Sequence, residues 1–234
     1  MNISNKIQSI ILKKKSNICV SLDYTKSSQI LNTVELLKGL IIMIKLHCDI
    51  IEDFSETFIK KLVSLCKDND ILILEDRKFA DIGNTFKHQF TGGIFKINTW
   101  CDLITIHSIA GDGPIKEFAK IKSKEQGALI IAQMSNKNNL FTAEYTANTK
   151  KIAKENIGSV AGFICQEKLS SSTNLLSFVP GVNRHTSSDT SDQKYTTPEC
   201  AMEKGADVLI IGRGIINSTN MLEECNIYKE IAWK

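Results

Sequence analysis

The sequence lacks the features that would divide it into separate units or place it in a membrane. Its 234 residues include only 3 prolines, and no linker rich in proline, serine or glycine interrupts them. We therefore expect a single domain over residues 1–234. No apolar run approaches the ~18 residues that a membrane span needs, and residues 1–15 lack the apolar centre and cleavage site of a signal peptide. These absences predict a cytoplasmic protein that does not contact a membrane.

The cysteines lack the spacing of a metal site or of a disulfide framework. Their number is odd, they lie far apart, and no C-x-x-C pair occurs. We therefore expect small buried side chains in a reducing cytosol, with no zinc site. The seven are Cys19, Cys48, Cys66, Cys101, Cys165, Cys200 and Cys225.

A strong charge imbalance and the common nucleotide-binding motifs are also missing. The net charge is +3, and the basic residues are scattered apart from Lys13, Lys14 and Lys15. We interpret that cluster as a solvated helix end, so no nucleic-acid partner is expected. Neither G-x-x-x-x-G-K-[ST] nor G-x-G-x-x-G occurs, which argues against an ATP or dinucleotide site built in those ways. The nucleophile elbow G-x-S-x-G is missing too.

What the sequence does contain is eight short apolar runs, most of them separated by segments with helical periodicity. Consecutive apolar residues are typical of strands buried on both faces of a parallel sheet. Such a sheet is either open and doubly wound or closed, and the strand count and chain length favour a closed α/β fold, a single (β/α)8 TIM barrel. The predicted strands are 17–22, 41–46, 71–75, 102–107, 128–134, 160–166, 175–180 and 208–211. The predicted helices are 27–38, 54–67, 84–90, 114–122 and 142–156, and only a short linker, 169–174, precedes the seventh strand.

One polar segment, residues 183–195, has almost no apolar side chain. It is too long for a plain connection, which predicts a mobile loop of functional importance. A disordered surface insertion is the alternative interpretation.

The most informative segment is Ile71–Thr85, ILILEDRKFADIGNT, in which an apolar strand ends in a group of charged residues. Asp76 and Lys78 are two positions apart and face the same way in an extended chain. Asp81 lies past the predicted strand. The carboxyl ends of barrel strands carry the chemistry of this fold. Because two carboxylates and an ammonium group are costly to assemble, their presence there indicates a site that acts on a substrate.

Polar residues follow other predicted strands, and each has an ordinary structural alternative. Lys45 comes after five apolar residues, and it is either a catalytic group or part of a structural ion pair. His47 and His107 are more often hydrogen-bonded core histidines than ligands. Asp23 is a candidate cap for the following helix as well as a candidate site residue. Ser21, Met134, Ser135 and Pro180 also lie at the ends of predicted strands.

The triplet Gly212-Arg213-Gly214 follows the last predicted strand. Glycines there let backbone N–H groups approach an anion, and an arginine between them adds a charge-assisted hydrogen bond to phosphate. Phosphate sites of barrels commonly lie after the seventh and eighth strands. A plain turn is the alternative.

The run Glu75–Thr85, EDRKFADIGNT, resembles the signature of the orotidine 5′-phosphate decarboxylase family in its eukaryotic form. A D-x-K-x-x-D match alone is only moderately specific, because related sugar-phosphate decarboxylases carry one, whereas the longer string is highly specific. The similarity covers nearly the whole chain and includes SLD at 21–23, IKLHCDI at 44–50, MS at 134–135, PGV at 180–182, QKY at 193–195 and IGRGII at 211–216. The resemblance implies a homodimeric barrel with shared active sites. It would convert orotidine 5′-monophosphate to UMP and CO2, the last step of de novo pyrimidine nucleotide synthesis, with no cofactor and no metal.

By matching position, the resemblance implies a catalytic tetrad of Lys45, Asp76, Lys78 and Asp81. Lys78 would donate the proton to C6 of the pyrimidine, and Asp81 and Thr85 would reach the site of the partner subunit. The other matched substrate-binding positions are Ser21, Asp23 and His47 near the ribose, Met134, Ser135 and Pro180 at the pyrimidine, and Gln193, Tyr195, Gly212 and Arg213 at the phosphate.

The segment 183–192 departs from the family pattern, because serines, threonines and aspartates stand where glycines are usual. Asp192 in particular occupies a position where glycine is common. Two other functions stay open on the sequence alone. One is a magnesium-dependent barrel decarboxylase or aldolase that acts on a sugar phosphate, which a chelator would inactivate. The other is a nucleotide-binding protein without activity, which an assay of orotidylate loss would reveal.

Overall fold

The computed structural model describes residues 2–186 and 192–233, and at its centre is a closed barrel of eight parallel strands. Each strand pairs with the next one in sequence, and the last pairs with the first. The predicted (β/α)8 barrel is therefore confirmed. The strands are β1 (Ile18–Ser21), β2 (Met43–Leu46), β3 (Leu72–Phe79), β4 (Leu103–His107), β5 (Gly127–Ile131), β6 (Val160–Ile164), β7 (Leu176–Pro180) and β8 (Val208–Ile211).

Nine α-helices and two short 3-10 helices, Cys48–Ile50 and Ile97–Thr99, accompany the barrel in the described part of the chain. The α-helices are α1 (Ile3–Lys14), α2 (Ser27–Leu37), α3 (Glu56–Asp68), α4 (Gly83–Thr91), α5 (Gly113–Ile121), α6 (Ala143–Glu155), α7 (Pro198–Glu203), α8 (Arg213–Ile216) and α9 (Met221–Ala232). Helices α2 to α6 match the predicted ones, and the lysine cluster at 13–15 that was interpreted as a helix end is the end of α1. The helices α7, α8 and α9 were not predicted. Among the described residues, no helix combines the length and the apolar character that crossing a bilayer requires.

Strand β3 is longer than predicted and irregular. It continues to Phe79 rather than ending at Glu75, and its register with β4 shifts between Glu75 and Phe79. Lys78, inside this irregularity, has a φ of 51°, which is the left-handed region that only glycine adopts readily. The Lys78 N–H donates to the Thr105 hydroxyl at 2.9 Å, so a side chain of β4 fixes the distortion. The chain from Asp76 to Lys78 is therefore not regular extended strand, but the two side chains still face the same way, with the Lys78 ammonium 2.7 Å from the Asp76 carboxylate.

The apolar core has two layers, one between the sheet and the outer helices and one inside the barrel. Six of the seven cysteines are buried and Cys200 is half-buried, in agreement with their interpretation as small core side chains. Burial raises the pKa of the Cys66, Cys165 and Cys225 thiols to about 12.

Helix α1 closes the amino-terminal end of the barrel. Its buried residues Ile3, Ile7 and Ile10 belong to the cluster that fills the barrel interior. The Ser4 hydroxyl donates to the carbonyl of Asn174, just before β7, at 2.8 Å. The opposite, carboxyl-terminal end of the barrel is therefore the open one.

Candidate active site

The carboxyl ends of the strands enclose a cavity of about 220 Å³. All but two of the predicted site residues line it, although they come from six strand ends and from the segment after β7. They are Ser21, Asp23, Lys45, His47, Asp76, Lys78, Met134, Ser135, Pro180, Gln193, Tyr195, Gly212 and Arg213. The barrel thus brings together residues that are up to 192 positions apart in the sequence.

Asp76 lies at the centre of the charged part of the cavity. One carboxylate oxygen accepts from the Lys78 ammonium at 2.7 Å and lies 3.1 Å from the Lys45 Nζ. The other accepts from the Thr105 hydroxyl at 2.8 Å. Burial on its own would raise the pKa of Asp76, but the ammonium groups of Lys45 and Lys78 hold it well below its ordinary value. Asp76 is therefore an ionised carboxylate in an almost fully buried position.

Lys45 connects Asp76 to the residues at the end of β1. Its Nζ lies 3.5 Å from Asp23 and 2.8 Å from His47 Nε2. Burial opposes its charge, but Asp76 and Asp23 raise the pKa of Lys45 above its usual value. Burial and the neighbouring Lys45 lower the pKa of His47, so this imidazole is neutral and accepts the ammonium hydrogen. Lys45 thus remains charged between two carboxylates.

Asp23 belongs to this site and does not cap a helix. Its carboxylate accepts from the Ser21 hydroxyl at 2.8 Å. The first amide of α2, at Ser27, donates instead to Asp53 at 2.8 Å. Because Asp53 satisfies the helix start, Asp23 is available to Lys45. Of the two interpretations that the sequence allowed for Asp23, the structure shows the site contact.

Sequence analysis missed Thr105, which supports both central charges. Its hydroxyl accepts from the Lys78 backbone and donates to Asp76. The side chain is fully buried on β4, where burying a hydroxyl is tolerated only with hydrogen-bond partners. The available signal was one polar residue inside the apolar run LITIH at 103–107.

Arg213 and Tyr195 lie together in the lining of the same cavity. The guanidinium carbon of Arg213 is 5.7 Å from the centre of the Tyr195 ring, a distance at which a cation and an aromatic face attract. Gly181 also lines the cavity and has a φ of 72°. A Cβ there would lie 2.6 Å from Gln193 Nε2 and 3.0 Å from the Ser135 Cβ, so a side chain at position 181 would displace Gln193.

The segment that carries Gln193 and Tyr195 is attached to the barrel rim. The Lys194 N–H donates to the Ser135 carbonyl at 3.2 Å. Asp192, which stands where the resembled family commonly has glycine, has a φ of 59°. Glycine is favoured at this position because the backbone there is left-handed, and aspartate is among the other residues that tolerate a positive φ best. Residues 187–191 of the predicted mobile loop lie outside the described residues.

Asp81 and Thr85 do not line this cavity. The Asp81 carboxylate accepts from the N–H of the next residue, Ile82, at 2.8 Å. Thr85 is exposed on α4. Their predicted contact is with a partner subunit, so it would lie between two chains and stays a prediction. In the described ranges, no group of three or more His, Cys, Asp or Glu side chains could hold a metal ion.

Glu75, next to Asp76, points away from the cavity and is fully buried. Both of its carboxylate oxygens accept from the Cys48 N–H at 3.2 Å. Burial raises the pKa of Glu75 to about 8, because the hydrogen bonds from Cys48 compensate little of the lost hydration. Glu75 is therefore mostly protonated at neutral pH.

Glu75→Gln is expected to reduce the pH dependence of stability. An acid whose pKa is higher in the folded chain than in the unfolded chain stabilises the fold fully at pH values below the unfolded pKa of 4.5. This stabilisation is lost as the pH rises, and none is left above the folded pKa of about 8. From about pH 5 to about pH 8, the free energy of unfolding should fall by on the order of 1–3 kcal/mol more in the unchanged protein than in the variant. Urea unfolding at several pH values measures this, with the exposed Glu203→Gln as control. Equal pH dependence in Glu75→Gln and the unchanged protein would contradict the assignment.

The sequence is similar to proteins of one family over nearly its whole length. The model of the orotidine 5′-phosphate decarboxylase / HUMPS family matches residues 16–228. The chain is 38% identical over 240 residues to the orotidine 5′-phosphate decarboxylase of Candida parapsilosis, which covers 99% of this chain and 90% of that protein. It is 37% identical over 234 residues to the uridine 5′-monophosphate synthase of Bos taurus, covering 99% of this chain and 49% of the relative. The chain thus spans about half the length of such synthases.

The fold is similar to that of solved structures as well. A crystal structure of orotidine 5′-phosphate decarboxylase from Pyrococcus horikoshii OT3 superposes with a TM-score of 0.71. The match covers 93% of this chain and 99% of that one, at 20% sequence identity. At this identity the likeness concerns the fold, and it agrees with the closed barrel described above.

Proposed function

The chain belongs to the orotidine 5′-phosphate decarboxylase / HUMPS family, and we propose that it converts orotidine 5′-monophosphate to UMP and CO2. The observation that supports this most directly is that one cavity is lined both by the Lys45–Asp76–Lys78 cluster and by Arg213 with Tyr195. In this proposal, the charged cluster contacts the reacting ring, and Arg213 and Tyr195 contact the phosphate. The proposed reaction takes place in the cytoplasm and uses no cofactor, membrane or nucleic acid.

The charge cluster suits the chemistry of this decarboxylation. The bond between C6 and the carboxylate breaks, its electron pair stays on C6, and CO2 leaves. The developing carbanion is poorly delocalised, so it needs a fixed positive charge close by. The Lys78 ammonium provides that charge and transfers a proton to C6, which gives UMP. Asp76 holds the ammonium at 2.7 Å, and its own charge disfavours the substrate carboxylate in the ground state.

The part of the cavity lined by Arg213, Gln193 and Tyr195, here called the phosphate end, provides binding energy through the phosphate and not through the reacting carbon. Arg213 forms charge-assisted hydrogen bonds to the phosphate, and Gln193 and Tyr195 complete its environment. Binding energy gained there can be used to hold the ring against Lys78. Met134, Ser135 and Pro180 also line the cavity, and in this proposal Ser135 reads the amide edge of the pyrimidine.

The proposed enzyme is a homodimer with shared active sites. Asp81 and Thr85 lie outside the cavity of their own chain but next to the rim that surrounds it. Large apolar side chains are exposed at the same rim, after β3, β4 and β5: Ile82, Ile109 and Leu140, which are 65%, 70% and 93% exposed. Exposed apolar groups that follow three adjacent strands are typical of a protein interface. A second copy that covers them would bring Asp81 towards the neighbouring cavity.

The direct test is an ultraviolet assay of orotidylate loss by the purified protein. We expect turnover that EDTA does not reduce. Orotidylate loss that EDTA abolishes and magnesium restores would refute the metal-free mechanism. Binding of UMP without any turnover would indicate an inactive nucleotide-binding protein and refute the proposed activity.

Arg213→Ala is expected to raise KM for orotidine 5′-monophosphate by about 10- to 100-fold, because a charge-assisted contact to phosphate is lost. The value of kcat should change much less. Steady-state kinetics measure both, and orotidine, which has no phosphate, serves as the control substrate. An unchanged KM for the phosphorylated substrate would show that the phosphate does not bind at Arg213.

A further inference from the structure

Helix α9 carries two buried polar side chains that the proposed mechanism does not use. Glu224 and Tyr228 are one helical turn apart, so they lie on the same face of the helix. Glu224 is 6% exposed and Tyr228 is fully buried. Polar groups are buried in this way only when partners satisfy them, and the partners of these two lie beside the cavity.

Glu224 binds the chain segment that follows β7. Its carboxylate accepts from Arg184 Nε at 2.6 Å and from Arg184 Nη2 at 3.1 Å, which is a bidentate pair. His185 Nε2 lies 2.8 Å from the same carboxylate. The Arg184 hydrogen bonds lower the pKa of Glu224, so the pair is charged. One side chain of α9 thus fixes two consecutive residues of the segment.

Tyr228 contacts both segments that form the phosphate end. Its hydroxyl accepts from the Arg184 backbone N–H at 2.9 Å. The same hydroxyl packs against Gly214, where a Cβ would lie only 2.5 Å away. Gly214 directly follows Arg213, so the tyrosine hydroxyl lies between the segment after β7 and the segment after β8.

Backbone hydrogen bonds connect the anchored segment to Tyr195. The Asn183 N–H donates to the Thr196 carbonyl at 2.9 Å. The Thr196 N–H donates in turn to the Gly181 carbonyl, also at 2.9 Å. Thr196 is the neighbour of Tyr195 in sequence. A displacement of Arg184 would therefore move Tyr195 relative to Arg213.

We propose that Glu224 and Tyr228 are positioning residues that set the spacing of Tyr195 and Arg213 for a phosphate. This inference rests on the proposed function, because it concerns the phosphate end of the same site. Neither residue touches the substrate. They act by holding the two segments of the phosphate end against one helix, so their effect is confined to substrates that carry the phosphate.

The experiment compares orotidine 5′-monophosphate with orotidine as substrates for Glu224→Gln and Tyr228→Phe. Each variant should raise KM for the phosphorylated substrate about tenfold, while kcat/KM for orotidine stays within about twofold of the unchanged protein. The matched control is Glu230→Gln, because Glu230 is exposed on the same helix and bonds only Asn226 in the described structure. The control should change neither value. Thermal unfolding of every variant separates lost stability from lost positioning.

Equal losses with the two substrates, or no loss with either, would overturn the inference. Should Glu224→Gln fail to fold, Arg184→Gln replaces the partner whose side chain is 31% exposed, and it should give the same selective rise in KM. The double variant Arg184→Gln/Glu224→Gln should cost no more than Glu224→Gln alone, because that variant has already lost the Arg184 contact. An unchanged protein that turns over neither substrate would refute the proposed function itself, which is a different result.

Discussion

Lys78→Ala is expected to lower kcat by at least about 10⁴-fold, while UMP still binds. Proton transfer by a positioned group contributes about 10²–10⁴-fold, and a fixed charge opposite a developing anion contributes about 10²–10³-fold. Lys78 is proposed to provide both. Its removal also leaves Asp76 with one ammonium partner, Lys45. The phosphate end does not depend on Lys78, so nucleotide affinity should fall much less than turnover.

The left-handed backbone of Lys78 requires its own control. Alanine keeps the Cβ of lysine, so at a φ of 51° the substitution adds little backbone strain of its own. Lys15 has a φ of 50° at the end of α1, far from the cavity, so Lys15→Ala makes the same change in the same backbone conformation without touching the chemistry. Single-turnover kinetics and UMP titrations measure the two variants. Substantial residual turnover in Lys78→Ala would rule out Lys78 as the proton donor.

A mixture of Lys78→Ala and Asp81→Ala subunits is expected to recover activity that neither variant has alone. In a mixed dimer, both lesions fall in one site when Asp81 acts on the partner's cavity, and the other site is intact. Random exchange of equal amounts makes half of the dimers mixed, so about a quarter of the sites should be active. Titration of the mixing ratio and native mass spectrometry of the dimers measure this together.

If mixed dimers are present but activity does not recover, each site is complete within one chain.

The interface itself can be tested by Leu140→Asp, which places a charge among the exposed apolar residues of the rim. The matched control is Leu12→Asp, because Leu12 is 69% exposed on α1 at the other end of the barrel. Sedimentation should show monomers for Leu140→Asp but not for Leu12→Asp. The activity of Leu140→Asp should fall with its dimer content.

The barrel and the cluster of its strand ends could be predicted because a short-range pattern determines them. Eight apolar runs with intervening helices leave few ways to pair strands, and a closed sheet gathers every strand end on one face. Lys45, Asp76 and Arg213 could be grouped on this basis although they lie far apart in the sequence. The family resemblance that Glu75–Thr85 suggested is confirmed by the family model over residues 16–228.

The distortion of β3 could not be predicted, because it depends on a residue of another strand. The Thr105 hydroxyl replaces a regular ladder partner for Lys78, and nothing in the local sequence of β3 specifies that contact. The same holds for Arg184 and Glu224, which are 40 positions apart and meet only after α9 has packed. Such contacts override local propensity, and only the folded chain reveals them.

The position of α1 has a practical consequence for how this protein can be attached to other molecules. The cavity opens at one end of the barrel, whereas Asn2 hydrogen-bonds Asn174 at the other end. A tag, a surface linker or a second polypeptide joined ahead of α1 would extend away from the substrate entrance. Immobilisation through that terminus should therefore leave the route of the nucleotide unobstructed.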